Sequence, residues 1–327
     1  MKLRSLWGIC VLIMMIVTLY PVTSYALSSS SISISMYPEN PAPYESVNIS
    51  LSSYATDLDG ASITFIVNGK TGLAGVGEKN FTLTVGAAGS ETKVLIKIIS
   101  QGEGIELNLV IRPSAMVLLW QAMDSYVPPF YKGKAMATAD SDIKIVALPE
   151  IRNGGALVSP KNMTYSWKFN YDNDQGASGY GKNSYTYNND YLENTNNVSV
   201  VATTIDQKYS ATGNLDVGSA NPKIVFYKRD LALGTQWQNA LGGNHTITGN
   251  EILVAEPYFL SPKILWHPSL IWSWAINDSL VETPSIFKNI MPVAPQAGKS
   301  GTAKIRLDIE NKDKIYETIS KAINITF

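Results

Sequence analysis

The chain has 327 residues, with 26 basic against 27 acidic side chains, a formal charge of −1 and only 16% charged residues. A balance this near zero supplies no electrostatic footprint for nucleic acid, which needs a basic excess on one face. One cysteine excludes an intramolecular disulfide, a cysteine zinc site and an iron–sulfur cluster, while 45% hydrophobic residues over this length predict two or three domains with real cores.

The first predicted element is a leader. Lys2 and Arg4 precede an apolar run from Leu6 to Tyr20, and Ser24-Tyr25-Ala26 offers small residues at a cleavage point, the pattern of a secretory signal peptide over residues 1–26. The run is about 15 residues long against the roughly 20 that cross a bilayer, so cleavage is expected, with membrane anchoring if the segment stays. Cys10 lies inside this leader. A cut after Ala26 leaves no cysteine and 24 basic against 27 acidic residues, a mildly acidic exported chain. The expected location is extracellular or in the cell envelope.

Beyond the leader the hydropathy period is almost everywhere two. Ser31–Met36, Val47–Leu51, Phe81–Val85, Lys93–Ile98 and Ile105–Ile111 each alternate polar with apolar residues, as half-buried antiparallel strands do. Turn clusters such as Asp59-Gly60, Asn68-Gly69 and Gly102-Glu103-Gly104 separate them, which predicts an all-β sandwich architecture. Asp313–Lys321 alone has helical credentials, and its β-branched residues leave it ambiguous between helix and strand.

One strand recurs. Thr64-Phe65-Ile66-Val67-Asn68, Ser166-Trp167-Lys168-Phe169-Asn170 and Ser273-Trp274-Ala275-Ile276-Asn277 share hydroxyl, aromatic, any residue, apolar, Asn, with the aromatics 102 and 107 residues apart. A second landmark keeps step, because Ala147 precedes Trp167 by 20 residues and Ala255 precedes Trp274 by 19. Repetition at this period predicts three immunoglobulin-like modules in series, at residues 30–113, 114–217 and 218–327, with Phe65, Trp167 and Trp274 as core aromatics. The strand resembles the third strand of immunoglobulin-like and polycystic-kidney-disease-type (PKD) β-sandwiches. The series as a whole resembles exported multi-module proteins of ultra-small (candidate phyla radiation) bacteria, in which segments like Trp120–Lys134 and Ala255–Phe259 open successive modules.

Catalytic constellations are scarce. Only His245 and His267 could serve a nucleophile, and neither lies near a Gly-x-Ser-x-Gly elbow. Gly176–Asn183 nearly matches a phosphate-binding loop, but its last position is Asn183 and a strand-like alternation follows where a helix is required. Asp57 and Asp59, and Asp172 and Asp174, are alternating carboxylates beside glycine. They make calcium the one candidate ion, although turn chemistry also favours these residues. Tyr171, Tyr180, Tyr185, Tyr187 and Tyr191, set among Asn, Ser and Gly, form the candidate binding stretch. Trp266 with Trp272, and Tyr126 with Phe130 and Tyr131, read as surface aromatics or as packing between modules.

These features predict a non-enzymatic, exported structural or adhesive protein without a cofactor, whose serial sandwiches present binding loops to a surface protein or glycan. Carbohydrate binding through the tyrosine-rich loop and assembly into a surface filament are the alternatives. Neither nucleic acid nor membrane, beyond an uncleaved leader, is expected as a partner.

Overall fold

The computed structural model of the chain describes residues 31–153, 155–283, 286–296 and 298–327. The expected leader, residues 1–26, lies outside them. Among the described residues no helix is long and apolar enough to cross a membrane. The chain divides into two compact units, one ending at Pro113 and one running from Ser114 to Phe327.

The first unit is one sandwich. Its strands are β1 (Ile32–Tyr37), β2 (Ser46–Ser53), β3 (Ser62–Val67), β4 (Lys70–Val76), β5 (Asn80–Thr84), β6 (Thr92–Ser100) and β7 (Glu103–Ile111). They form a three-stranded sheet, β1-β2-β5, facing a four-stranded one, β4-β3-β6-β7. Alternation decides which side chains meet between the sheets: Val47, Ile49 and Leu51 from β2 face Ile63, Phe65, Val94, Ile96 and Ile98.

The second unit holds two sandwiches. The first uses β8 (Ala115–Ala122), β9 (Asp142–Glu150), a short hairpin of β10 (Arg152–Asn153) and β11 (Ala156–Leu157), then β12 (Met163–Phe169), β13 (Asp172–Tyr180), β14 (Ser184–Asn188), β15 (Thr195–Thr204) and β16 (Ser210–Gly218). Its sheets, β14-β9-β8 and β13-β12-β15-β16, repeat the three-on-four arrangement. The next sandwich uses β17 (Lys223–Asp230), β18 (Gly234–Leu241), β19 (Asn244–Thr246), β20 (Glu251–Tyr258), β21 (Leu270–Ile276), β22 (Ser279–Val281), β23 (Ile290–Val293), β24 (Thr302–Asn311) and β25 (Ile319–Thr326). Two additions distinguish it: β18 extends the sheet β18-β17-β20-β23, and β19 pairs in parallel with β25. The ambiguous stretch Asp313–Lys321 is therefore a turn followed by the start of β25.

The recurring aromatic strand is β3, β12 and β21, and its parts do the same work three times. Phe65, Trp167 and Trp274 are buried, opposite Ile96, Val200 and Leu307 on the neighbouring strand. The closing asparagines Asn68, Asn170 and Asn277 have φ of 48°, 46° and 48°. This is the left-handed region that Asn tolerates better than other residues with a side chain. Each also clasps the partner strand. Its Oδ1 accepts from the backbone N–H of Lys93, Asn197 or Lys304 at 2.9 Å in all three sandwiches. Its own N–H donates back to the same residue's carbonyl at 2.8, 2.8 and 2.9 Å. The pattern marks a register lock as well as a core position.

Candidate functional site: the joint between the second and third sandwiches

The tyrosine-rich stretch does not form one surface. On β14 the alternation Ser-Tyr-Thr-Tyr-Asn turns Tyr185 and Tyr187 into the core, where Tyr185 stacks on Trp167 at 5.3 Å and is 4% exposed. Burial raises the pKa of both hydroxyls, that of Tyr187 to about 12. Tyr171 and Tyr180 are exposed at opposite ends of β13, which bulges against β12 so that Tyr180 pairs with Thr164 and Asp172 with Phe169; at about 3.3 Å per residue of β12 this sets them roughly 20 Å apart, too far for one small ligand. Tyr191 lies elsewhere, in the turn after β14.

Three of the four paired carboxylates have partners nearby. Asp57 Oδ1 accepts from the N–H groups of Asp59 and Gly60 at 3.0 and 3.4 Å, and Asp59 pairs with Lys79 at 2.7 Å. Asp172 and Asp174 begin β13 and so are not in a loop. Asp174 accepts from the Ala177 N–H at 3.0 Å and the Tyr185 hydroxyl at 3.1 Å. Among the described residues no group of three His, Cys, Asp or Glu side chains is placed to hold a metal. Gly176–Asn183 is the end of β13 and a turn into β14, with no helix for a phosphate.

The histidines have local partners. His245 Nε2 lies 2.8 Å from Glu251, whose other oxygen accepts from Lys228 at 2.7 Å. Burial works against the Glu251 charge, but these two hydrogen bonds outweigh it and lower the pKa. His267 Nδ1 lies 2.8 Å from Ser269 Oγ and accepts from the Ser269 N–H at 3.3 Å, a turn contact. Trp266, Trp272 and Phe287 cluster within the third sandwich, at centroid distances of 5.7 and 6.3 Å from Trp266.

Polar side chains converge instead where the second sandwich meets the third. The β8–β9 segment of the second sandwich reaches the turns after β20 and between β24 and β25 of the third. Tyr126 forms a two-bond antiparallel bridge, its N–H donating to Leu260 at 2.8 Å and its carbonyl accepting from Phe259 at 2.7 Å. Its hydroxyl donates to the buried carboxylate of Glu256. Glu317 is fully buried and accepts twice, from the Thr138 hydroxyl at 2.7 Å and from the Ser261 N–H at 2.9 Å. Asp124 accepts from Lys314 at 2.6 Å and from Ser261 Oγ at 3.1 Å, and Lys314 also donates to the Asp140 carbonyl at 2.5 Å. Asn311 donates to the Ser261 carbonyl at 2.7 Å. Tyr131 packs edge-on against Tyr258 and Phe259 at 5.8 and 5.7 Å.

Burial is the leading influence on the acids. It raises the pKa of Glu256 and of Glu317 above the ordinary glutamate value, against hydrogen bonds that pull both down. Tyr126 is driven far up by burial and by its bond to Glu256. A joint with this many directed bonds cannot swivel without leaving buried polar groups unpaired, at about 1–3 kcal/mol each. Of the aromatics assigned to surface or packing, Tyr126 and Tyr131 are joint residues, while Phe130 is exposed. The roles of Glu256, Glu317, Asp124 and Lys314 were not anticipated. Glu256 did leave a signal, as the one charge in the apolar run Ile252–Phe259.

The fold defines an all-β protein of three immunoglobulin-like β-sandwiches. No family model and no curated protein matches the chain. Similar solved structures include the fibronectin(III)-like modules of Clostridium thermocellum CbhA, at 14% identity over 57% of this chain and 93% of that one, with a TM-score of 0.28. The central fibronectin-III array of RIM-binding protein aligns at 10% identity over 90% and 95% of the two chains, TM-score 0.32. Bacteroides ovatus SGBP-B, solved with a mixed-linkage heptasaccharide, aligns at 11% identity over 94% and 69%, TM-score 0.21.

Proposed function

We propose that the chain is a non-enzymatic, exported structural or adhesive protein of the cell surface or envelope. It works by presentation, holding loops at fixed separation on serial sandwiches and engaging a surface protein or glycan. The observation that supports this reading is the joint around Glu256 and Glu317, which ties two sandwiches into one body. The buried acids Glu256 and Glu317 are occupied in joining the two sandwiches. The narrower kinship with PKD-type modules rests on the aromatic strand motif, and that with exported proteins of ultra-small bacteria on the segments Trp120–Lys134 and Ala255–Phe259.

The test is antibody labelling of intact against lysed cells, combined with attachment assays on cells lacking the gene. Labelling of intact cells and weakened attachment are expected. Signal only after lysis, or attachment unchanged by the deletion, overturns the reading.

A filament is the second reading, favoured by β8. This edge strand, Ala-Met-Val-Leu-Leu-Trp-Gln-Ala, carries no charge and leaves Val117 and Leu119 exposed on its outer face. Uncharged edges of this length pair readily with other strands. Concentration-dependent assembly abolished by Leu119→Lys supports it, and a chain that stays monomeric at high concentration overturns it.

A further inference from the structure

The joint carries one exposed feature that its buried bonds do not use. The turn after β14 in the second sandwich presents Tyr191 and Leu192, and the turn between β24 and β25 in the third presents Ile315 and Tyr316. The two rings stack nearly parallel, 13° apart with centroids at 3.9 Å. Both rings remain about half exposed, and Leu192 and Ile315 are each 70% exposed. Two modules thus contribute to one apolar ridge, continuous with the buried contact beneath it through Lys314 and Glu317 on the same turn as Tyr316.

The charges on these turns are one-sided. Asp190 and Glu193 flank Tyr191, Asp313 precedes Ile315, and all three are exposed. Asp140 adjoins them, its N–H donating to the Asn189 carbonyl at 2.7 Å. Against these four acids the same turns expose Lys312, since the Lys314 ammonium is bound to Asp124 and the Asp140 carbonyl. An acidic rim around stacked aromatic faces opposes a second copy of itself and adds nothing for a neutral glycan. It complements a flat cation. Guanidinium stacks on tyrosine faces and pairs with carboxylates in one pose, which the more strongly hydrated lysine ammonium does less well.

We propose that the Tyr191–Tyr316 ridge docks an arginine-bearing cationic segment of a partner protein. This deepens the presentation reading by giving the chemistry of what is presented to. The arginine planes cover the open faces of the ring pair, aliphatic neighbours rest on Leu192 and Ile315, and the acidic rim sets the salt dependence.

The test uses the purified protein and three labelled eight-residue peptides in which leucine alternates with arginine, lysine or glutamate, read by fluorescence anisotropy. The arginine peptide is expected to bind best, the lysine peptide several-fold more weakly and the glutamate peptide least. Raising salt from about 50 to about 500 mM should weaken the arginine peptide about tenfold. The pair Tyr191→Ala and Tyr316→Ala should cost roughly tenfold in affinity. Asp190→Asn with Glu193→Gln should flatten the salt dependence while leaving the rings in place. Asn can still accept the Leu192 N–H that Asp190 Oδ1 now holds at 2.9 Å, so this variant remains informative if the tyrosine variant unfolds early in a thermal melt. Equal binding of the glutamate peptide, affinities unchanged in both variants, or binding of neutral oligosaccharides in place of the arginine peptide overturns the proposal. So does self-association that disappears with the tyrosines. Peptide binding in solution does not depend on where the cell places the chain, so its failure is separable from failure of the surface-labelling experiment.

Discussion

The indole Nε1 of Trp274 donates to the carbonyl of Lys288 at 2.8 Å, and Trp167 reaches the equivalent carbonyl of Lys182 at 2.9 Å. In both sandwiches that carbonyl sits just before the strand that closes the first sheet, so the core aromatic ties the two sheets through a polar atom as well as by packing. The first sandwich has no such donor. Phe65 instead stacks on Phe81 at 4.9 Å, as Trp167 does on Tyr185. Trp274→Phe is therefore expected to keep the fold of the third sandwich while costing about 1–3 kcal/mol for the orphaned carbonyl and the vacated volume. Trp274→Ala should cost about 3–5 kcal/mol. Denaturant unfolding of the second unit measures both, and a Phe variant as stable as the wild type would show that the indole N–H contributes nothing.

The asparagine clasp separates into two parts. Asn277→Gly keeps the left-handed backbone and loses only the Oδ1 bond to Lys304, an expected cost of about 1 kcal/mol. Asn277→Ala loses that bond and also strains a positive φ, for about 2 kcal/mol in all. The order of the two variants is the decisive result. Alanine as stable as glycine would mean that the conformation imposes no cost.

Much of this was legible because period-two alternation and the repeat are local signals. Alternation alone places Tyr185 and Tyr187 inward on β14, and the spacing of Phe65, Trp167 and Trp274 already marks three cores. The joint was not legible. Tyr126 and Glu256 are 130 residues apart and Thr138 and Glu317 are 179 apart, so nothing in the neighbourhood of either announces the other. The tyrosine stretch looked like one surface because composition records residue type but not face. Asp57 and Asp174 show the same limit: an acid that accepts from turn N–H groups and an acid that binds an ion are written alike.

Gly213 on β16 packs directly against the side chains of β8 within the second sandwich. A Cβ there would lie 2.5 Å from Met116 Cγ and 3.1 Å from two carbons of Leu118, both on β8. Gly213→Ala should cost about 1–3 kcal/mol as these side chains are displaced. Met116→Ala alone opens a void, yet in the double variant the new methyl group has room beside Leu118. The coupling in a double-mutant cycle should be favourable by about 1 kcal/mol or more. Additive losses would show that the strain is relieved by backbone movement and not by Met116.

Stability of the joint should depend on pH with a sign opposite to that of an ordinary surface carboxylate. Burial raises Glu256 and Glu317 above the 4.5 of a free glutamate, so over the window from 4.5 up to their raised values the folded joint binds more protons than the unfolded chain. Stability therefore falls as pH rises through that window, and is greatest on its acidic side. The groups facing them are Tyr126 and Asn289 at Glu256, and Thr138, Ser261, Lys314 and Asp124 at Glu317. Glu256→Gln removes one titrating group while its amide oxygen can still accept from Tyr126. It should raise the melting temperature of the second unit at neutral pH and flatten the fall above about pH 4.5. Thermal melts at half-unit pH steps check this. A wild-type joint that grows more stable as pH rises from 4.5 toward neutrality, or a Gln variant with the wild-type slope, would show that Glu256 is charged and adequately paired where it lies.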